Sequence, residues 1–309
     1  MTRPYLEEIA PGAFAYVQPD GGWMVNNTGL IVGPRGRSVV VDTASTERRT
    51  RAFLAEVDAR STGAPVALVN THHHPDHTYG NGFVAAETPV IGHELCRSEA
   101  IAAGLEATRV ITTPEYGDLT VRPPEVTFAD RLTLHLDDVA VELRHFGPAH
   151  TTNDVVVWLP GSRVVYAGDL AFAGGQPFVL EGSVAGFGRA LHRIRALQPE
   201  VLVPGHGPVV RGDAVGTLLD DLTAYIEFVA EVGAASYAAG LSPLEAAEKH
   251  RDNPFRYWQE TERLVGNLHR AYAELAAREV GNAEWVRVAV PDVWPDLVAF
   301  NGGPLACHA

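Results

Sequence analysis

The chain has 309 residues, of which 46% are hydrophobic and 20% charged, so it is long enough for one α/β domain with an addition and too apolar for a disordered protein. The formal net charge of −14 disfavours a protein that binds nucleic acid through clustered Lys and Arg, and no apolar run approaches the roughly 20 residues of a membrane-spanning helix. Because the first residues lack an apolar signal core and the two cysteines, Cys96 and Cys307, form no pairing framework, we expect a cytoplasmic protein without nucleic-acid or membrane partners.

The first part of the chain predicts a β-meander, a helix and a buried strand. Turn-forming Pro, Asp and Gly residues separate runs of apolar and β-branched residues. The predicted strands are Ala13–Gln18, Met24–Val32, Ser38–Asp42 and Pro65–Asn70. Between the last two, we expect a helix over 43–60 with Thr43 or Ser45 as its cap.

The middle of the chain predicts a second set of strands followed by a helix. A strand at Pro89–Gly92 and a helix from His93 to about Ala103 come first, and the Thr- and Pro-rich segment 104–125 is expected to be a long loop near or over a site. The remaining predicted elements are strands at Val126–Phe128, Leu132–Leu136, Val139–Phe146, Val155–Leu159, Arg163–Ala167 and Val201–Val203, with a helix at Val184–Leu197. Two sets of strands with helices predict two sheets packed face to face with helices outside.

The last hundred residues predict an all-helical addition. Apolar residues at helical spacing and a Ser-Pro-Leu-Glu start signal indicate about three helices over 213–279. The tail over 281–309 carries Trp285, Trp294 and Phe300, so we expect it to dock on the body or on a neighbouring subunit, which would allow a homodimer. We therefore divide the chain into a catalytic core, 1–212, and a helical extension with its tail, 213–309.

A dense cluster of metal-ligand residues follows the strand at Pro65–Asn70. The run His72-His73-His74-Pro75-Asp76-His77 contains the pattern His-x-His-x-Asp-His, which places three imidazoles and a carboxylate within six residues. Structural roles rarely require that density of ligands, so the pattern indicates a metal site. The alternative is an exposed His-rich loop.

Three later segments each place one further ligand type just past a predicted strand. These residues are His150, Asp169 and His206, and each has glycine nearby. Sites in α/β sheets gather at the carboxyl ends of strands, and glycine lets the backbone turn sharply there. Taken alone, each would be an ordinary loop residue, but together they point to one centre with the His-rich cluster.

With these residues in order, the chain resembles the metallo-β-lactamase superfamily over roughly residues 13–210. Its five motifs correspond to Asp42, the His72–His77 cluster, His150, Asp169 and His206. The resemblance implies an αββα sandwich in which Asp42 supports the His-rich loop without being a ligand. The aspartate at 169 resembles the glyoxalase II-like branch, whereas many true β-lactamases of this fold have a Cys in the second metal's shell.

The resemblance also implies a ligand set for two metal ions. One ion would be held by His72, His74 and His150, the other by Asp76, His77 and His206, with Asp169 bridging both. These donors suit two zinc ions, with Mn²⁺ or Fe²⁺ as alternatives, and a bridging hydroxide as the nucleophile. Asp76 and Asp169 are the predicted catalytic carboxylates, and Asp76 could also steer a proton toward the leaving group.

The expected activity is hydrolysis of an ester-like bond in a small molecule, with thioester or lactone ahead of β-lactam. The segments 21–29 and 150–154 also resemble actinomycete polyketide thioesterases and cyclases of this fold, and a metal pair could equally polarise a ketone for aldol closure. An iron-dependent persulfide dioxygenase-type oxidoreductase, a nuclease and a non-catalytic binding module are further alternatives, all disfavoured. The intact His/Asp set argues against the oxidoreductase and the binding module, and the acidic charge argues against the nuclease.

Other residues near the motifs have weaker signals. We expect His73 and His145 to be structural, with His73 pointing away from the metals. His93 could approach the cleft, although a structural role is favoured. Trp23 lies where relatives have a loop over the substrate, and Met24 is expected to be a core residue.

Overall fold

The strands of the protein form two mixed sheets in a computed structural model that describes residues 3–281 and 285–309. Predictions that touch Met1, Thr2 and residues 282–284 lie outside the described residues. The first sheet contains β1 Tyr5–Ala10, β2 Ala13–Val17, β3 Thr28–Val32, β4 Ser38–Val41, β5 Ala67–Val69, β6 Val90–His93 and β7 Val126–Phe128. The second contains β8 Arg131–Leu136, β9 Val139–His145, β10 Val155–Leu159, β11 Val164–Phe172, β12 Val201–His206 and β13 Val210–Arg211.

Strand order in both sheets largely follows the chain. The first sheet runs β1 to β7 in sequence, antiparallel from β1 to β4 and parallel from β4 to β7. The second runs from β13 to β8, with β11 and β12 as its parallel pair. Parallel pairs need crossover connections, and α1 supplies one of them between β4 and β5.

Helices cover the outer faces of both sheets. The described helices are α1 Glu47–Asp58, α2 Pro75–Thr78, α3 Glu94–Ala103, α4 Ala107–Val110, α5 Val184–Ala196, α6 Asp213–Ala238, α7 Pro243–Lys249, α8 Arg263–Glu279 and α9 Val290–Asn301, with a 3₁₀ turn at Tyr79–Phe83. Helix α7 begins with the predicted capping box, in which Ser242 and Glu245 bond reciprocally. None of the described helices is both long and apolar enough to cross a membrane.

Side chains that alternate between the two faces of each strand explain the four-layered arrangement. Val39 and Val41 of β4 pack into the core between the sheets, while Val40 packs outward against α1. On β10, Val155 and Val157 enter the same central core, and Val156 faces the outer cluster formed with α5, α6 and α8. Because successive side chains of a strand point to opposite faces, two buried faces per sheet give four layers. The structure confirms the predicted αββα sandwich and the C-terminal helical region.

Several predicted boundaries shift for local reasons. Strand β3 begins at Thr28 rather than Met24, because Met24 has a positive φ of 64° and the Asn27 side chain donates to backbone carbonyls of Pro204 and Gly207. Helix α1 begins only at Glu47. Its cap is Thr46, whereas the expected caps Thr43 and Ser45 donate their hydroxyls to the carbonyls of His77 and Met24.

The C-terminal tail docks on the body of the same chain. Phe300 is buried in the outer cluster of the second sheet, and Trp294 packs at its edge. The division of the chain at residues 212 and 213, where α6 begins, stays a prediction.

Candidate metal centre

The His-rich loop connects β5 to α2 and is held from below by Asp42. The Asp42 carboxylate accepts hydrogen bonds from the amide and hydroxyl of Thr71, both at 2.7 Å, and lies 2.8 Å from Nδ1 of His77. Pro75 opens α2, so Asp76 and His77 occupy its first turn. The buried carboxylate thus fixes both ends of the loop, in the place that the resemblance implied for Asp42.

The first group of ligand atoms comes from both sheets. His72, His74, His150 and Asp169 each offer one atom, and these atoms lie within 4.8 Å of one another. Nε2 of His150 is 2.8 Å from Nδ1 of His74 and 3.3 Å from Oδ2 of Asp169. Such a cluster of three imidazoles and one carboxylate has the donor count of a zinc site.

The second group consists of Asp76, His77 and His206, again within 4.8 Å. Nε2 of His206 lies 3.3 Å from Oδ2 of Asp76 and 3.1 Å from Oδ2 of Asp169, and Nε2 of His77 lies 3.1 Å from Oδ1 of Asp169. Asp169 therefore contacts both groups. The structure brings together all seven residues singled out in the sequence, and their division between two ions stays a prediction.

One nitrogen of each imidazole is oriented by a partner outside the centre. These contacts are His72 Nδ1 with the Thr71 hydroxyl at 3.1 Å, His77 Nδ1 with Asp42, His150 Nδ1 with the Phe178 carbonyl, His206 Nδ1 with the Gly21 carbonyl at 3.1 Å, and His74 Nε2 with Glu181 at 2.8 Å. Metal-binding histidines characteristically use their second nitrogen in this way, which fixes the ring and its tautomer. The remaining nitrogens face one another across the centre.

Several of the inward-facing atoms lie close to one another, as Nε2 of His77 does to Oδ1 of Asp169, without forming a hydrogen bond. Nε2 of His72, Nε2 of His77 and Oδ1 of Asp169 are buried without a hydrogen bond. Leaving a buried polar group unsatisfied costs about 1–3 kcal/mol, so three such atoms in one cluster are unusual. Metal ions coordinated here would satisfy them, and the residues present therefore fit a metal pair.

The pKa values of the cluster reflect a balance between burial and neighbouring charges. Burial lowers the pKa of His150 to about 3, whereas burial of His206 is outweighed by the carboxylates of Asp169 and Asp76, which raise its pKa to about 9. Burial also opposes ionisation of Asp76, yet His77 and His206 lower the pKa of this carboxyl to about 2. Two buried carboxylates thus need positive charge beside them, and metal ions would supply it.

Sequence reasoning missed Glu181, which lies in the loop before α5. Its Oε2 is 2.8 Å from Nε2 of His74 and 3.7 Å from Nε2 of His73. Burial opposes its ionisation, but the hydrogen bond from His74 lowers the pKa of Glu181 to about 2. No local pattern marks this residue, because only the tertiary fold brings it to the His-rich loop.

The structure separates the weaker candidates. His73 does not simply point away from the centre, because it lines the same cavity and forms with His74 and Glu181 a third set of ligand atoms within 4.8 Å of one another. Its Nδ1 lies 3.0 Å from Nδ2 of Asn153. His93 does not reach the cavity, since its ring stacks on His145 at 3.9 Å and its Nε2 contacts the Ala129 carbonyl. The stacked rings of His93 and His145 therefore have a structural role.

A cavity of about 340 Å³ opens onto the two ligand groups. Trp23 and Met24 line it, and Met24 is also buried as a core residue would be. The segment 104–125, expected to be a loop near the site, contributes Val110 and Ile111 and contains the short helix α4. The start of α9 supplies a further wall.

Two packed sheets with paired His/Asp ligand groups at their strand ends define the class of αββα metalloproteins. The family description "Metallo-beta-lactamase superfamily" matches residues 21–206. The chain belongs to the metallo-beta-lactamase superfamily.

Similar proteins in this superfamily have different activities by name. The chain is 23% identical over 212 residues to the metallo-beta-lactamase type 2 of Bacteroides fragilis, covering 65% of this chain and 78% of that protein. It is 30% identical over 213 residues to a hydroxyacylglutathione hydrolase of Synechococcus, covering 67% of this chain and 74% of that protein.

A solved structure extends the likeness of fold into the C-terminal region. The stereoselective inverting sec-alkylsulfatase of a Pseudomonas species aligns with a TM-score of 0.68 at 19% identity, over 88% of this chain. The chain spans about half the length of that protein, at 50%. This similarity concerns the fold alone.

Proposed function

We propose that the protein is a binuclear metal-dependent hydrolase that acts on a small molecule with an ester-like carbonyl, thioesters or lactones ahead of β-lactams. The observation that carries the proposal is the contact of Asp169 with both ligand groups, together with the buried nitrogens of His72 and His77 that form no hydrogen bond. Imidazole and carboxylate donors favour zinc, with Mn²⁺ or Fe²⁺ as alternatives.

When bound, a zinc pair supplies a nucleophile from water at neutral pH and polarises the carbonyl under attack. The protein's own residues hold and orient the donors. Asp42 fixes His77, and the Phe178 carbonyl fixes His150, so both rings keep their tautomer during turnover. Asp76 lines the cavity with its carboxylate beside His206, where it could pass a proton to the leaving group.

The donor set supports thioester or lactone over β-lactam. The second ligand group consists of Asp76, His77 and His206 and contains no cysteine among the residues that the structure describes. Cys96 is buried and Cys307 is partly buried, and neither belongs to a ligand group. The Synechococcus relative is a hydroxyacylglutathione hydrolase, and an acyl group on the glutathione sulfur is a thioester, which agrees with this preference.

A substrate panel tests the proposal. Purified protein loaded with zinc would be assayed on a thioester, a lactone, a β-lactam, a phosphodiester and a primary alkyl sulfate, each with and without chelator. We expect chelator-sensitive cleavage of the thioester or lactone, restored by added zinc. Cleavage of none of them by the zinc-loaded protein would overturn the hydrolase proposal.

Metal analysis distinguishes the hydrolase from an oxidoreductase. The proposal expects two zinc ions per chain, whereas one iron per chain with oxygen uptake would indicate an oxidoreductase. A cyclase or thioesterase acting on a polyketide remains a second candidate, favoured by the aromatic wall of Trp23, Phe178 and Trp294 beside the centre. Release of a cyclised product from a poly-ketone substrate, with no hydrolysis, would favour the cyclase.

A further inference from the structure

The cavity is lined by two kinds of side chain. Its floor is formed by charged and imidazole side chains, among them Asp76, Asp169 and His206. Beyond the floor, two stretches of chain supply mainly hydrocarbon. These are the segment from the end of α3 through α4, with Ala103, Ala107, Val110 and Ile111, and the start of α9, with Val290, Pro291 and Trp294.

An aromatic cluster connects the floor to these walls. Trp23 packs edge to face on Phe178 and on Trp294, with ring centroids 5.3 and 5.5 Å apart. The indole Nε1 of Trp23 donates to Glu262 at 2.6 Å, so its polar atom is already satisfied by the protein. The ring therefore offers only an apolar surface to a bound molecule.

The charged residues of the cavity lining outside the ligand groups are hydrogen-bonded within the protein or exposed to solvent. Arg263 is buried, donates to the Gln176 carbonyl at 2.9 Å and stacks against Trp23. Arg122 donates to several backbone carbonyls, including that of Thr88 at 2.6 Å. Glu106 and Arg287 have exposed side chains, so solvent screens their charges, although the charge of Arg287 still acts on Glu181 and His73.

We propose, on the basis of the function proposed above, that the substrate carries an uncharged, apolar acyl group of several carbon atoms. Walls made mainly of hydrocarbon repay little of the desolvation of a charged or peptidic group, whereas burial of each methylene is favourable. The ester-like carbonyl would lie at the floor. The apolar acyl group would lie between the two hydrocarbon stretches, with Ile111 on one side and Trp294 on the other. A short polar acyl group would leave these walls exposed to water.

An acyl-length series tests the assignment with the leaving group held constant. The zinc-loaded protein would be assayed on p-nitrophenyl acetate, butyrate, hexanoate and octanoate. Burial of a methylene corresponds to about a fourfold gain in kcat/KM, so the octanoate is expected to exceed the acetate by at least about 100-fold. Equal kcat/KM across the series, or a preference for acetate, would overturn the inference.

A pair of matched isoleucine variants locates the effect in the cavity. Ile111 is half-buried and lines the cavity, while Ile101 is 54% exposed on α3 and does not. Ile111→Ser should raise KM for the octanoate about tenfold and KM for the acetate much less, because the lost contact is uniform binding of the acyl chain. Ile101→Ser should change neither. Equal effects of both variants, or none from Ile111→Ser, would contradict the placement.

A binding measurement separates this inference from the proposed hydrolysis. Calorimetric titration with decanoic acid and butyric acid compares chain length at a constant carboxylate. We expect decanoic acid to bind at least tenfold more tightly, with a more negative heat-capacity change, and Ile111→Ser to reduce the difference. That result with no esterase activity would refute the hydrolase and retain the apolar site. Equal binding of both acids alongside ester turnover would refute the apolar site and retain the hydrolase.

Discussion

The carboxylate of Glu181 should control how tightly the first ligand group holds its metal. Its Oε2 accepts from Nε2 of His74 at 2.8 Å, while Nδ1 of the same ring faces His150. Glu181→Ala removes a charge-assisted hydrogen bond worth about 1.5–3 kcal/mol, which corresponds to a loss of roughly 10- to 150-fold in metal affinity. Glu181→Gln keeps an acceptor for the His74 N–H and loses only the charge, so the loss should be smaller, about three- to tenfold.

The measurement is zinc competition against a chromophoric chelator, with kcat/KM recorded at saturating zinc. One zinc of the pair should weaken in the Glu181 variants, and the other should keep its affinity. Glu106→Gln is the matched control, because Glu106 lines the same cavity but pairs with Arg109 on the surface. Wild-type zinc affinity and activity in Glu181→Ala would refute the reasoning, as would an equal loss at both zinc positions.

The remaining predictions concern the residues around the shared carboxylate. Asp169→Ala should abolish turnover and lower the metal content together, with the metal content measured by elemental analysis of the same sample. Unaffected turnover would refute the assignment of Asp169 to the site. Asp42→Ala leaves Nδ1 of buried His77 and the amide of Thr71 without their acceptor, so zinc affinity should fall about 10- to 100-fold at the second group. If the zinc affinity of the second group were unchanged in the same titration, Asp42 would not be what positions the loop.

The sequence predicts the layers and the ligand set because both depend on local patterns. Val39 to Val41 alternate between two buried faces, and this period of two is visible without a structure. The density of imidazoles at 72–77 is equally visible. His150, Asp169 and His206 could be added because each follows a strand, although β11 and β12 extend through Asp169 and His206 rather than ending before them.

Features that depend on distant contacts were not predictable in this way. Strand β1, Tyr5–Ala10, carries Glu7 and Glu8 and pairs through its backbone at the sheet edge, so it lacks an apolar alternation. Glu181 reaches His74 only because the second sheet packs on the first, 107 residues away along the chain. The walls of the cavity likewise come from segments that meet only in the folded protein.

Gly205 illustrates why the identity of a residue beside a ligand needs the structure. The sequence predicts that glycines near the ligands permit sharp turns, and Gly168, with a φ of 53°, does so. Gly205 does not have a positive φ; instead, a Cβ at this position would lie 1.9 Å from Oδ1 of Asp169. Its requirement is space for the carboxylate that touches both ligand groups.

Gly205→Ala should therefore displace Asp169 and reduce the metal content to less than one ion per chain, with turnover lost in proportion. Gly188→Ala is the matched control, since nothing lies within 4 Å of its Cβ position and alanine stabilises a helix interior by roughly 0.5–1 kcal/mol over glycine. Elemental analysis and thermal unfolding of both variants check the prediction. A Gly205→Ala protein that bound two ions and turned over normally would show that Asp169 can move without loss, and that its contact with both groups is not what holds the metal pair.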